Sequence, residues 1–450
     1  MTHPQSNRVS LIRRWAWFGL WVSLFVAPAS AQVMTMGGMT PAETLAAHIL
    51  AHDDSGTSIE PISTPAKVQM AEHGGWMLML HGTAFGSDTQ QFAAKTSAGQ
   101  RGGDKFFSTN WIMPMAQRSF GKSELTFRGM VSLEPATISG GYYPELFQQG
   151  ETWKGAPIVD GQHPHDFVME LAALFDYSFS ARTALSFYVA PVGDPALGPT
   201  AFPHRFSASE DPLAALGHHQ QDSTHIAFNV VTGGFTTGWA RVEVSGFHGA
   251  EPDEHRWQFQ PSPNGLDIDS WSSRLTVSPA RNWTGQYSIA RIASPEALAP
   301  HEDQNRQTAS AMYNRTLPKG NWANSILWGR TRSLTDGAKE NSYLLESLVG
   351  FAARNNAWTR IENAGRSNEL LLTPGAGLPS GFEEQPIGHV AAFSFGYDRD
   401  LRSKALSALH LEAAPGAQVT AYRTPAALVQ TYGRHPFGVV LFVRFRVGSE

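Results

Sequence analysis

SELTFRGMVSLE, residues 123–134, is the stretch that decides the fold. Leu125, Phe127, Gly129, Val131 and Leu133 fall on one side of an extended chain. Glu124, Thr126, Arg128, Ser132 and Glu134 fall, with Met130, on the other. The same period of two returns in charges spaced two apart: Arg241 with Glu243, Arg330 with Arg332, Arg360 with Glu362 and Arg444 with Arg446. On a helix such pairs would diverge by about 200°, whereas on a strand they share a face. Ala240, Val242 and Val244, or Leu441, Val443 and Phe445, make the opposite face apolar. The pattern describes a sheet with one polar and one greasy side.

Outward from this segment, about 16 such stretches run from residue 75 to residue 447. Their connections alternate in length. Long ones (86–105, 135–166, 192–223, 249–267, 293–306, 333–341, 364–388 and 423–436) are separated by tight ones such as Ser180 to Arg182, Gly233-Gly234 and Asn355-Asn356. Outer-membrane barrels have that rhythm, with long external loops and short periplasmic turns. The expected fold is therefore all-β, a transmembrane antiparallel up-and-down barrel of about 16 strands with both termini on one side. Trp76, Tyr177, Trp239, Trp271, Trp283, Trp322, Trp328 and Trp358 lie at segment ends and suit the aromatic girdles.

Composition narrows the alternatives. Among 450 residues there is no Cys, which excludes disulfide scaffolds, thiol nucleophiles and thiolate metal centres. A net charge of −5, with no Lys/Arg run, argues against nucleic acid as a partner. Residues 1–31 read as a signal peptide: Arg8, Arg13 and Arg14 precede the apolar run Trp15 to Ala27, and Ala29-Ser30-Ala31 fits a cleavage site. Residues 32–74 then form a periplasmic leader and residues 75–450 the barrel, which places the protein in the outer membrane of a Gram-negative cell.

The candidate chemistry is mostly histidine. GQHPHD supplies His163, His165 and Asp166, and FPHRFSASEDPLAALGHHQQDSTH supplies His204, His218, His219, Asp222 and His225. Neutral imidazole with carboxylate suits Zn, Cu, Ni or Fe, and a Zn or Cu ion is the expected occupant. The competing reading is loop ordering by hydrogen bonds. In the leader, Thr40 and Glu43 form a capping box with Pro41 at the first helical position, so that His48 and His52 share one face of a short helix. Met34, Met36 and Met39 add thioethers, which favour Cu(I), unless they are incidental. The third long loop carries apolar runs, PALGPTAF and DPLAALG, and is expected to fold back into the lumen. Ser223 and His225 share a strand face, but no oxyanion hole accompanies them, so no catalytic residue and no enzyme activity is expected.

RGGDKFFSTNWIMPMAQRSFGKSELTFRGMVSLEPATISG, DGQHPHDFVMELAALFDYSF and VSGFHGAEPDEHRW resemble an uncharacterised bacterial family of exported, porin-like outer-membrane barrels. The resemblance covers most of residues 75–450 and implies a barrel, with no substrate or catalytic residue to carry over. More weakly, the leader resembles copper-resistance outer-membrane proteins. Together these readings lead to a channel or transport component for small hydrophilic or anionic solutes or ions, sitting in outer-membrane lipid, with self-association into a homo-oligomer as a further expectation. Arg128, Arg241, Glu243, Arg274, Arg330, Arg360, Glu362 and Arg444 would line its pore. The alternatives are a copper-like metal-binding resistance protein and a closed structural or adhesive barrel.

Overall fold

The computed structural model describes residues 33–34, 43–96, 99–259 and 267–447. Sixteen antiparallel strands close into a barrel. They are β1 (Trp76–Thr96), β2 (Gly99–Phe120), β3 (Ser123–Val131), β4 (Val168–Ser180), β5 (Thr183–Gly193), β6 (Ala227–Thr237), β7 (Ala240–His248) and β8 (Ser270–Ala280). Then follow β9 (Trp283–Ile292), β10 (Gln304–Leu317), β11 (Gly320–Ser333), β12 (Lys339–Phe351), β13 (Asn355–Ser367), β14 (Pro386–Arg399), β15 (Leu411–Arg423) and β16 (Phe437–Val447). Each strand pairs with its sequence neighbours, and β16 meets β1 from Phe437↔Phe92 to Arg446↔Thr83, leaving no edge along that seam. A short strand, Gln69–His73, pairs with the start of β1. None of the described helices is long and apolar enough to cross a membrane.

The greasy face points outward. Phe127 in β3, Phe187 in β5, Val242 and Val244 in β7, Ile326 in β11 and Phe393 and Phe395 in β14 are exposed, while Arg128, Arg241, Glu243 and Ser394 are buried inside. Trp239, Trp271, Trp283 and Trp322 are exposed on the outer face. Trp358 corrects the girdle: it is buried inside the barrel and its Nε1 donates to Gln418 at 2.9 Å.

Three connections differ from the sequence reading. Residues 86–96 and 99–105 are strand rather than loop, and β1 and β2 pair as far as Thr96↔Gly99. β3 pairs with β2 only from Ile112 onward, so the upper half of this polar hairpin projects past β3. Gly233-Gly234 lies within β6 and the turn follows at Gly238. At Gly234 a Cβ would come within 3.2 Å of the Arg241 guanidinium, so the small residue makes room for an inward arginine. Asn355-Asn356 opens β13, and the turn before it uses Ala352 and Ala353 in the left-handed region.

If the outer face meets hydrocarbon, Phe393→Arg should cost about 2–4 kcal/mol in denaturant unfolding from phospholipid vesicles. A change within about 0.5 kcal/mol would mean that this face does not contact lipid.

Candidate functional site

Closing sixteen strands leaves an interior wider than wall side chains can fill. Two segments occupy it, one from each mouth. From the mouth with the long loops come residues 194–226, most of them buried and none exposed. From the mouth with the short turns comes residues 43–66. Thr44 there caps a one-turn helix, Leu45–His48, and donates to the turn carbonyl of Ala181, and the segment leaves beside the Arg281 carbonyl, which accepts from Ser63 N. The two segments meet midway: Ser55 Oγ accepts from Ala201 N at 3.3 Å and Glu60 Oε1 from Phe206 N at 3.4 Å. Thr40 and Pro41 lie outside the described residues, so the helix that is seen starts at Leu45 with Thr44 as its cap.

Wall arginines hold both segments. Arg128 pairs with Glu170 at 2.7 Å and donates to the carbonyls of His52, Asp54 and Gly56. Arg274 pairs with Glu243 and reaches Thr57 Oγ1 at 2.9 Å and the Gly198 carbonyl at 3.1 Å, one contact on each segment. Arg360 binds Asp211 and Glu346 and donates to the carbonyls of Leu213 and Ala214. Arg444 binds Glu210 and Asp398. Arg241 stays on the wall, with Glu243 at 3.0 Å, and Glu362 accepts from Gly217 N at 3.4 Å. Seven of the eight pore candidates thus face inward. Arg330 does not: it shares the outer face with Ile326, lies over the Trp328 ring at 5.5 Å and donates to Gln307.

Between the segments and the wall is a cavity of about 130 Å³, lined among others by Glu60, Lys67, His81, Trp111, His165 and His204. Burial, followed by mutual repulsion where other acids adjoin, pushes Asp54 up to about 7 and Glu60 up to about 8. Burial also raises Asp53 to about 6 and Asp194 to about 8.

The structure divides the histidines. His163, His218 and His219 come together, each offering a ring nitrogen within 4.8 Å of the others, and Glu151, His219 and Glu251 form an overlapping group within the same limit. His165 lies beside His225, ring centroids 5.3 Å apart, and bonds Glu134 at 3.0 Å. His204 sits elsewhere, 3.0 Å from Met130 Sδ. Asp166 is taken by Arg256 at 3.2 Å, and Asp222 by Arg205 at 2.9 Å and by His218. His48 and His52 do not converge: His52 takes a left-handed conformation, and their Nε2 atoms face the Glu60 carbonyl and Asp176 respectively. Met36 and Met39 lie outside the described residues, and Met34 is described only by its pairing with Met70. Ser223 Oγ donates to Glu251 at 3.1 Å and accepts from Arg306, while the His225 ring bonds the Asp222 carbonyl, so each is engaged elsewhere.

Sequence reasoning missed Glu151 and Glu251, which stand apart from any histidine run. It also missed a buried methionine cluster: Met70, Met79, Met113, Met115, Met130 and Met169 pack on the wall, with Met70↔Met79 and Met79↔Met115 in register across three neighbouring strands. The cross-strand register alone aligns them, which no local pattern shows.

The architecture is that of the bacterial outer-membrane porins. No protein-family model and no curated protein matches the chain. Among solved structures, an anion-selective porin from Comamonas acidovorans is similar at 10% identity, covering 82% of this chain and 99% of that one, with a TM-score of 0.50. OmpT, an outer-membrane protein of Vibrio cholerae, matches at 6% identity over 84% of this chain and 99% of its own, with a TM-score of 0.44. A triple mutant of the Rhodopseudomonas blastica porin matches at 11% identity over 82% of this chain and 100% of its own, with a TM-score of 0.38.

Arg205 is the strongest single anchor of the third loop, fully buried between Glu346 at 2.8 Å, Asp222 and the Thr200 carbonyl. Arg205→Ala breaks two buried ion pairs, leaving Glu346 to Arg360 and Asp222 to His218, and should lower unfolding stability by about 3 kcal/mol. Limited proteolysis within 194–226 should then precede cleavage elsewhere, and unchanged protection would show that the loop is held by other contacts.

Proposed function

We propose that the protein is an outer-membrane channel for small hydrophilic solutes or ions, kept closed by residues 43–66 and 194–226. The observation that carries this reading is a polar wall whose charged side chains face inward and bind those two segments through their backbone carbonyls. Such contacts hold a movable plug without demanding particular plug side chains. Arg128, Arg241, Arg274, Arg360 and Arg444 each have a carboxylate partner, so these arginines serve as anchors rather than as free charge. The signal peptide, the outer-membrane location and the absence of catalysis belong to the same reading. Residues 32–74 then act as a leader whose stretch 43–66 enters the barrel.

The test is single-channel recording from the refolded mature chain in planar bilayers. Arg128→Met removes three hydrogen bonds to the carbonyls of 52, 54 and 56 and should raise the open probability at least several-fold over wild type. Silence in both proteins, with the barrel shown folded by heat-modifiable migration, would leave the closed structural barrel.

Opening should also depend on pH. An acid whose pKa is raised in the docked state favours docking below that pKa and opposes it above. Burial holds Asp53 near 6, Asp54 near 7 and Glu60 and Asp194 near 8, so docking is firmest in mild acid and weakens as pH climbs through that window. Open probability should therefore be higher at about pH 9 than at about pH 5.5. The reverse order would remove these carboxylates from the gate.

A further inference from the structure

We infer that His163, His218 and His219, with Glu151 and Glu251 beside them, bind one divalent cation of the Zn²⁺ or Cu²⁺ class and so tie three long loops together across one mouth of the barrel. Glu151 and His163 come from the loop between β3 and β4, His218 and His219 from the loop between β5 and β6, and Glu251 from the loop between β7 and β8. The three imidazole nitrogens lie within 4.8 Å of one another, and His219 is shared with the Glu151 and Glu251 group. His218 and His219 are adjacent in sequence, and their rings meet edge to face at 4.6 Å.

The hydrogen bonds around the rings prepare them as ligands. His163 Nδ1 lies 2.8 Å from the Pro164 carbonyl, which can only accept, so Nδ1 carries the proton. In the neutral ring Nε2 then presents a lone pair, yet it stands 2.9 Å from Glu151 Oε1, another acceptor. Two acceptors at that distance need a cation between them. His218 is arranged alike: Nδ1 faces Asp222 Oδ1 at 3.3 Å, and Asp222 is itself held as an acceptor by Arg205 and Phe202 N. Its Nε2 is buried with no hydrogen-bond partner among the described residues. A ring whose far nitrogen donates to a carbonyl or carboxylate is the usual arrangement behind a metal-ligating histidine. Imidazoles with carboxylates suit Zn²⁺ and Cu²⁺, whereas Ca²⁺ and Mg²⁺ prefer all-oxygen sites and Cu(I) prefers sulfur. The competing account is a proton alone, shared between His163 and Glu151.

This site stands on loop geometry and does not depend on the channel reading, so its test makes no use of conductance. The refolded, metal-free mature chain in detergent is titrated with ZnCl₂ by calorimetry, alongside His163→Ala, His219→Ala and, as control, His255→Ala, whose exposed ring meets only Asp253 at 3.2 Å among the described residues. The expected result is one equivalent bound by wild type and control, weakened at least tenfold in the other two. CuCl₂ bound to wild type should show nitrogen hyperfine coupling from imidazole in its paramagnetic resonance spectrum, a readout that needs no variant to fold. Absence of saturable binding, binding unaltered in both His163→Ala and His219→Ala, or a bound Cu²⁺ without nitrogen coupling would each overturn the proposal.

Discussion

Inside this barrel a buried guanidinium group has to find acceptors. Arg128, Arg205, Arg274 and Arg444 are among the most deeply buried side chains of the molecule, and removing such a charge from water without a partner costs several kcal/mol. Wall carboxylates meet part of the demand: Glu170 serves Arg128, Glu243 serves Arg274 and Asp398 serves Arg444. The guanidinium donors left over point into the lumen, where they find the carbonyls of two segments threaded in from opposite mouths. The wall therefore needs its plug as much as the plug needs the wall.

That dependence is better understood as specificity than as surplus stability. Buried ion pairs roughly break even against apolar packing of the same volume, whereas breaking one is costly. A pairing scheme of this kind selects one placement of the loops among many compact ones. Apolar contacts then do the filling: Leu146, Phe147 and Leu216 of the second and third long loops pack with Leu370 and Tyr432, from the loops that follow β13 and β15. With no cysteine in the chain, no disulfide locks the arrangement.

Most of the barrel was legible because its physics is local. Alternation set the face of each strand, and it put Arg128, Arg241, Glu243, Arg274, Arg360, Glu362 and Arg444 on the inner wall, where they are found. It failed at Arg330, near the end of β11, where a cation over an indole sits comfortably on the outer face and hydropathy cannot tell the two sides apart. Glycine and asparagine pairs misled for a related reason. Gly234 serves an inward arginine rather than a turn, which depends on a neighbour seven residues away in β7. The inward fold of the third loop followed from its apolar runs, but its partners could not. Glu346, Glu362 and Ser342 meet it only because the closed barrel brings β12 and β13 opposite β5. Histidine clustering was similarly half visible. The residue types pointed to the loops, while the choice of His163 with His218 and His219, and the release of Asp166 and Asp222 to arginines, is a matter of tertiary geometry.

The wall also carries a record of the plug in its glycines. Gly329 lies in the middle of β11 with ordinary extended geometry, where a strand has no need of glycine. A Cβ there would stand 2.2 Å from the Gln220 carbonyl oxygen, so the third loop presses directly onto bare backbone. Gly56, at φ +54° in the segment from the other mouth, would place a Cβ 2.6 Å from the Asp194 carbonyl oxygen. An open lumen full of water would accommodate a methyl group at Gly329 without penalty, whereas Gly56 is also held to glycine by its left-handed backbone. Gly329 is therefore the wall position whose lack of a side chain answers to the loop docked on it.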